Sequence, residues 1–259
     1  MTTEKPPLVF LHGMWSRPRV WDRFRARFEA AGYPTLAPAM PGHDVEPGEP
    51  VPPALAGYGL GDYVAAIEQA CAGLATKPVL IGHSMGGLLA QLAAVRIQPR
   101  AIALLSTGPS SSIFALAADP VKTLWPVLKR WGYWREATLP PAESCRYGIF
   151  NGVEADETEA EIAALVHDSG RVLFQMGMPF LDQSGGSRVD YARLTCPALI
   201  VIGTEDRITP VGISRATARR LAGPVTYREM DGFGHWIIGR QGCETVAGHI
   251  EAFLAANGL

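Results

Sequence analysis

Residues 78–95, PVLIGHSMGGLLAQLAAV, are the stretch that decides the fold. The run Pro78-Val79-Leu80-Ile81-Gly82 is short and apolar, which is typical of a fully buried strand, and residues 88–98 have a helical pattern. Between them, Gly82-His83-Ser84-Met85-Gly86 matches G-x-S-x-G in a strand–turn–helix context. The alternative is an ordinary glycine-rich turn between a strand and a helix. The context favours a sharp turn that holds Ser84 in a strained conformation with its hydroxyl exposed over the sheet.

The segments on both sides of this motif alternate between strand and helix. Upstream, the apolar patterns predict strands over 8–11 and 35–40, a helix over 20–32, and a second helix that Asp62 caps and that runs to Leu74. Downstream, they predict strands over 101–106, 197–203 and 225–230 and helices over 211–221 and 244–256. Repeated units of this kind imply right-handed crossovers between parallel strands. We therefore predict an α/β fold with a mostly parallel central sheet flanked by helices.

Residues 109–190 break this rhythm. They contain helix-like pieces interrupted by prolines, an acidic run over 154–161 and no evident strand alternation. We interpret them as a helical cap inserted into a core domain formed by residues 1–108 and 191–259. A chain of 259 residues suits one domain with such an insertion.

The composition disfavours several classes of function. Apolar residues make up 47% of the chain and charged residues 19%, so a substantial core can form. A net charge of −2 gives no electrostatic case for binding nucleic acid. No run of apolar residues approaches the roughly 18 that a membrane span needs. The polar start, residues 1–7, shows no secretory signal, and the four scattered cysteines favour reduced thiols, so we expect a cytoplasmic location. We also expect a monomer or a homodimer.

A serine nucleophile needs a base, and the base needs an acid to orient it. Asp206 follows the predicted strand over 197–203, and His235 follows the predicted strand over 225–230. Active-site groups in open α/β sheets lie at the carboxyl ends of strands, so Ser84, Asp206 and His235 are expected at one edge. Glu205 is the alternative acid, but the shorter carboxylate of Asp206 better suits a fixed hold on the imidazole.

The remaining histidines have less specific interpretations. We expect His43, His167 and His249 to be solvated on loops or helix faces. We expect His83 to pack rather than react, and His12 to form a structural hydrogen bond in the turn after the first strand.

A tetrahedral intermediate also needs backbone N–H donors for its oxyanion. Met85 is expected to supply one amide, because it follows the nucleophile at the start of a helix. The turn His12-Gly13-Met14-Trp15 should supply the other, and Met14 is the favoured residue.

With these motifs in place, the sequence resembles the α/β-hydrolase superfamily over nearly the whole chain. The resemblance implies that Ser84, Asp206 and His235 are a catalytic triad, that Met14 and Met85 form an oxyanion hole and that the insertion is a lid. The start also resembles the hydroxynitrile lyases, which typically have Thr in place of Gly13 and Lys in place of Trp236. These departures favour a serine esterase that acts on a small acyl substrate.

Several alternatives remain open on the same residues: a hydroxynitrile lyase, a carbon–carbon hydrolase, a thioesterase, or a ligand-binding module that has lost efficient turnover. No metal-ligand spacing and no glycine-rich phosphate loop is present, so neither a metal nor a cofactor is implied. Apolar side chains in and near the insertion are candidates for lining the substrate pocket. The alternative is that they simply hold the insertion to the core. The candidate pocket residues are Trp15, Trp125, Phe150, Met176, Phe180 and Trp236.

Overall fold

A computed structural model describes residues 5–113 and 117–259. The first four residues of the polar N-terminus and residues 114–116 of the predicted insertion lie outside the described residues. The strands are β1 (Leu8–Leu11), β2 (Thr35–Leu36), β3 (Val79–His83), β4 (Ala101–Leu105), β5 (Ala137–Thr138), β6 (Asp168–Ser169), β7 (Ala198–Gly203) and β8 (Val225–Met230). The helices are α1 (Asp22–Ala30), α2 (Leu60–Ala72), α3 (Met85–Ile97), α4 (Ala118–Leu128), α5 (Ala142–Ser144), α6 (Ala155–Ala163), α7 (Gly170–Gly177), α8 (Val211–Arg220) and α9 (Cys243–Ala256).

Six of these strands form one parallel sheet in the order β2-β1-β3-β4-β7-β8. The central strands β1, β3, β4 and β7 are buried along their whole length. Alternate residues of β1 contact different layers: Phe10 packs with the aromatic side chains of α1, and Leu11 with the apolar faces of α2 and α3. The sheet therefore lies between two layers of helices, which confirms the predicted α/β class.

Two details of the predicted elements are wrong. The strand predicted over 35–40 ends at Leu36, because Pro38 has no N–H with which to continue the ladder. Asp62 is not the N-cap of α2, which begins at Leu60 after Gly59. Asp62 lies in the first turn instead, and its carboxylate accepts a hydrogen bond from the Gly59 N–H at 2.8 Å.

The chain between β4 and β7 carries α4 to α7 and a short antiparallel pair, β5–β6, that the sequence pattern did not predict. In this pair Thr138 lies opposite Asp168. Two residues per strand are too few to produce a visible alternation of apolar and polar positions. Across residues 5–113 and 117–259, no helix combines the length and apolar character needed to cross a membrane.

Candidate active site

Ser84 lies in the sharp turn between β3 and α3, with φ 56° and ψ −120°. Such a backbone conformation costs on the order of 1–3 kcal/mol in a residue other than glycine, so the surrounding structure must hold it in place. Two glycines allow the turn to form. A Cβ on Gly82 would lie 2.0 Å from the Gly86 carbonyl oxygen, and one on Gly86 would lie 2.1 Å from the Leu11 carbonyl oxygen. Ser84 is half-buried at the carboxyl end of β3.

His235 and Asp206 form a buried pair at the same edge of the sheet. His235 follows β8 and Asp206 follows β7, and His235 Nδ1 lies 2.8 Å from Asp206 Oδ2. His235 is 2% exposed and Asp206 is 6% exposed. A proton on Nδ1 that is donated to the carboxylate leaves Nε2 with a lone pair, which is the tautomer that a general base requires.

Both oxygens of the Asp206 carboxylate accept hydrogen bonds. Oδ1 accepts hydrogen bonds from the Ile208 and Thr209 amides at 2.8 and 2.7 Å, and the Thr209 hydroxyl lies 2.8 Å from Oδ2. Burial alone would raise the pKa of Asp206, but attraction to His235 and these hydrogen bonds outweigh it and lower the pKa. The neighbouring Glu205, the alternative acid, is exposed. The geometry therefore places Asp206, and not Glu205, against the histidine.

The turn after β1 lies directly against Ser84. A Cβ on Gly13 would be 3.1 Å from Ser84 Cβ. Trp15 has φ 60°, which is unusual for a bulky side chain, and its N–H donates to Asp168 Oδ2 at 3.1 Å. The Ser16 N–H donates to the Gly13 carbonyl at 3.3 Å. Two amides of this segment, those of Trp15 and Ser16, are therefore engaged inside the protein, and Met14 stays the candidate oxyanion donor.

A small cavity of about 20 Å³ lies in front of Ser84. Both His235 and Ser84 line it. Its other lining residues are Gly13, Met14, Trp15, Ser16, His83, Ile149, Phe150, Leu165, Ile208 and Trp236. The first turn, the serine turn, the loop after β8 and the segment between β4 and β7 thus meet at one point.

The six predicted pocket residues divide into three groups. Trp15, Phe150 and Trp236 line the cavity. Met176 does not line it, but its Cε lies 2.7 Å from where a Cβ on Gly108 would be, and the Gly108 N–H donates to the Ser84 carbonyl. Trp125 and Phe180 are 57% and 67% exposed, and neither lines the cavity. Aromatic character in a predicted cap therefore did not distinguish pocket residues from surface residues.

His12 and His83 are buried and neutral. His12 Nδ1 donates to the Gly13 carbonyl at 2.9 Å and Nε2 accepts from the Met40 N–H at 3.1 Å, which confirms the predicted structural hydrogen bond. His83 packs against His235 with ring centroids 4.9 Å apart, and its Nε2 donates to the His235 carbonyl. Burial and a neighbouring histidine lower the pKa of each ring to about 3.

The prediction that His43 is solvated is wrong. His43 is fully buried, and its Nε2 lies 3.1 Å from Asp168 Oδ2. Burial alone would lower the pKa of His43, but the charge of Asp168, together with hydrogen bonding to Asp168 and to the Pro41 and Met40 carbonyls, outweighs burial and raises the pKa. His43 follows β2 at the same sheet edge as the other site residues, and this position is the sequence signal that could have identified it. Asp168 lies in the insertion, where no motif marks it.

Asp168 is the centre of this second buried pair. Its Oδ1 accepts from the Tyr63 hydroxyl at 2.8 Å and from the Ser169 N–H at 2.6 Å, while Oδ2 faces His43 and the Trp15 N–H. Burial would raise the pKa of Asp168, but attraction to His43 and the hydrogen bonds outweigh it and lower the pKa. Each oxygen of this carboxylate therefore has two polar partners, although no part of the residue is exposed.

Within residues 5–113 and 117–259, no group of three or more His, Cys, Asp or Glu side chains is arranged to hold a metal ion. The site contains a strained serine, a histidine paired with a carboxylate, and backbone amides at the N-terminus of α3. Together with the parallel sheet, these features are typical of the α/β-hydrolases.

The sequence comparison agrees with this class. The family described as the alpha/beta hydrolase family matches residues 8–248, and the chain belongs to it. A search of curated protein sequences found no significant match.

Solved structures resemble the chain over nearly its whole length. Polyneuridine aldehyde esterase has a TM-score of 0.68 and 13% identity, covering 96% of this chain and 99% of that one. An extracellular alpha/beta-hydrolase from a Paenibacillus species has a TM-score of 0.70 and 18% identity, covering 95% and 98%. A monoacylglycerol lipase from Paleococcus ferrophilus has a TM-score of 0.65 and 21% identity, covering 97% and 96%. At these identities the likeness is one of fold.

Proposed function

We propose that this protein is a serine hydrolase that cleaves a carboxylic ester through an acyl-enzyme intermediate. Ser84 attacks the acyl carbon and His235 removes its proton, while Asp206 fixes and stabilises the imidazolium. The Met14 and Met85 amides bind the oxyanion of the tetrahedral intermediate. His235 then returns the proton to the leaving alcohol, and water releases the acid by the same steps in reverse order.

One observation carries this proposal. The strained Ser84 shares a cavity with His235, whose Nδ1 is tied to the buried Asp206 at 2.8 Å. A strained serine is costly and has no evident structural purpose, whereas a nucleophile needs the exposure that this turn provides. A pure binding module does not require this combination.

Residues around the serine favour an ester hydrolase over a lyase. Gly13 lies so close to Ser84 that a threonine at this position would place its side chain against the nucleophile. Trp236 gives the cavity an apolar wall at the position where the hydroxynitrile lyases have a lysine. Polyneuridine aldehyde esterase and the monoacylglycerol lipase, which share the fold, bear names that refer to ester cleavage.

We further propose that residues 109–190 act as a cap over this site. Ile149, Phe150 and Leu165 come from this segment and close the cavity. A volume of about 20 Å³ is enough for roughly one water molecule and not for an acyl group. Substrate entry therefore requires these side chains to move away from Ser84.

Hydrolysis of p-nitrophenyl esters of increasing acyl length tests the function. Ser84→Ala should remove nearly all turnover. The expected loss of kcat is about a million-fold, and the assay should show a loss of at least about a thousand-fold. We expect short and medium acyl chains to be preferred, because a longer chain requires a larger displacement of the side chains that close the cavity. Ser112→Ala is the matched control, because Ser112 is an exposed serine that does not line the cavity. Equal rates for wild type and Ser84→Ala would refute the mechanism.

A fluorophosphonate probe separates a hydrolase from a binding module. The probe reacts covalently with an activated serine, so wild type and Ser112→Ala should be labelled once per chain and Ser84→Ala should remain unlabelled. Folded wild-type protein that is not labelled would exclude an activated serine.

A further inference from the structure

We propose that Asp168, held by Tyr63 and His43, is a positioning residue that fixes the turn after β1 so that the Met14 amide faces the oxyanion. This inference rests on the proposed function, because it assigns a role in the same reaction. It concerns a cluster that contacts the first turn but does not line the cavity in front of Ser84, and that the proposed mechanism does not use.

The first step of the argument is the double attachment of Trp15. Its N–H donates to Asp168 Oδ2 at 3.1 Å, and its carbonyl accepts from the Val166 N–H at 2.9 Å. Trp15 also has the positive φ that bulky residues avoid. Both hydrogen-bonding groups of a strained residue are thus fixed by the same short segment, 166–168. The Trp15 N–H belongs to the Met14–Trp15 peptide, so this attachment fixes the backbone on the carbonyl side of Met14. The Met14 N–H shares the preceding peptide with the Gly13 carbonyl, which accepts from the Ser16 N–H at 3.3 Å.

The second step is the rigidity of Asp168 itself. Three structural elements converge on its carboxylate: Tyr63 from α2, His43 from the loop after β2, and the amide of Ser169 in β6. His43 in turn lies against His12 with ring centroids 5.0 Å apart, and His12 donates to the Gly13 carbonyl. The cluster therefore contacts the turn at Gly13 as well as at Trp15, on both sides of Met14.

The third step concerns the chemistry of the carboxylate. A neutral side chain at position 168 cannot accept two contacts on each oxygen and balance the charge of a buried histidine at the same time. A purely structural role would require only that the segment pack well. The Trp15 amide donates to Asp168 Oδ2, the same oxygen that faces His43. The geometry of the first turn therefore depends on the charge and the placement of the Asp168 carboxylate.

The test uses Asp168→Ala, Asp168→Asn and Tyr63→Phe in the full chain, with p-nitrophenyl acetate as substrate. Asp168→Ala should lower kcat by about tenfold to a hundredfold, since loss of an oxyanion donor costs about 10²–10³ and here the donor is displaced rather than removed. KM should change by less than about threefold, because the interaction acts in the transition state. Asp168→Asn keeps an acceptor for the Trp15 N–H and should recover part of kcat.

A trifluoromethyl ketone provides a readout that a merely structural role would not change. Its hemiketal oxyanion occupies the oxyanion hole, so its inhibition constant should rise in proportion to the loss of kcat/KM across the variants. Thr138→Val is the matched control. It removes a side-chain hydrogen bond to the Asp168 backbone carbonyl at 3.3 Å, within the same β5–β6 pair, without touching the carboxylate. It should lower the melting temperature and leave kcat and the inhibition constant unchanged.

The outcomes are distinguishable. Wild-type kcat and inhibitor affinity in a folded Asp168→Ala protein would overturn the proposal, as would an equal loss of both in Thr138→Val. If Asp168→Ala does not fold, Asp168→Asn and Tyr63→Phe decide the matter: graded losses of kcat support the proposal, and wild-type kcat in both overturns it. Failure of the proposed function has a different signature, because wild type would then show neither ester turnover nor labelling of Ser84.

Discussion

The protein contains two buried aspartate–histidine pairs that are alike in many respects. In each, a histidine nitrogen lies about 3 Å from a carboxylate, at 2.8 Å for Asp206–His235 and 3.1 Å for Asp168–His43. Both side-chain pairs are at least 97% buried. In each, the histidine packs against a neutral second histidine, with ring centroids 4.9 Å apart in one pair and 5.0 Å in the other.

The pairs differ in what lies beside them. His235 lines the cavity with Ser84, so its second nitrogen can serve a reacting hydroxyl. Around the other pair, the Tyr63 hydroxyl and the Trp15 amide approach the carboxylate instead. We therefore propose proton transfer for one pair and the fixing of backbone for the other. A buried Asp–His pair is therefore insufficient evidence for catalysis until its neighbours are known.

The same substitution in both pairs should give the largest contrast. We expect Asp206→Asn to lower kcat by about 10⁴, because the amide favours the wrong tautomer of His235. Asp168→Asn should cost far less, about tenfold at most, because it alters only the placement of an amide. Steady-state kinetics on p-nitrophenyl acetate measure both effects. Equal losses of kcat in the two variants would contradict the assignment of proton transfer to one pair and positioning to the other.

Removing the hydroxyl group that donates to each carboxylate compares the two pairs in their contribution to stability. Tyr63→Phe deletes the 2.8 Å hydrogen bond to Asp168 Oδ1 and leaves a buried acceptor short of a donor, which should lower the free energy of unfolding by about 1–3 kcal/mol. Thr209→Val deletes the hydroxyl 2.8 Å from Asp206 Oδ2 and should cost a similar amount. The two should separate in kinetics, where we expect the larger loss of kcat in Thr209→Val. Urea unfolding and kcat for both proteins provide the check.

The smallest expected effect is a pH dependence of stability that comes from His43. Three side chains face His43. Asp168 is charged, the pKa of His12 is lowered to about 3, and the pKa of Tyr63 is raised. The Met40 and Pro41 carbonyls also favour the charged form of His43. Because the pKa of His43 is raised above 6.5, its contribution is fully present below pH 6.5 and is lost as the pH rises through the raised value.

Asp168→Asn removes the main attraction and leaves burial to lower the pKa of His43. The difference in free energy of unfolding between wild type and Asp168→Asn should therefore be larger at pH 6 than at pH 9. The free-energy difference changes by about 1.4 kcal/mol for each unit by which the pKa of His43 differs between wild type and Asp168→Asn. Urea titrations at the two pH values measure it. A difference that does not vary with pH would mean that His43 does not titrate against Asp168.

The sequence predicted the core of the fold because its signals are local. Buried strands such as β3 and β7 are apolar runs, and G-x-S-x-G required only its own strand and helix to be interpretable. Asp206 and His235 were identifiable because both follow strands that end at the same edge as Ser84. For these residues, position in a repeated pattern carried the spatial information.

The second pair was not predictable in the same way. Asp168 contacts Tyr63 and Trp15 across separations of 105 and 153 residues, and a single sequence gives no register between an inserted segment and the core. Trp125 and Phe180 illustrate the reverse problem, because apolar composition alone does not reveal which face of a short helix or loop is turned to solvent. Both problems arise where no periodic element fixes orientation.

The double attachment of Trp15 to residues 166 and 168 has a consequence for protein engineering. Exchange of the segment between β4 and β7 is an obvious way to alter substrate range, on the assumption that such a segment is a detachable module. If Asp168 positions the first turn as proposed, a chimera that omits its carboxylate would lose rate even on substrates that its new pocket fits. A successful transplant would have to bring an equivalent anchor, with its own partners in α2 and in the loop after β2.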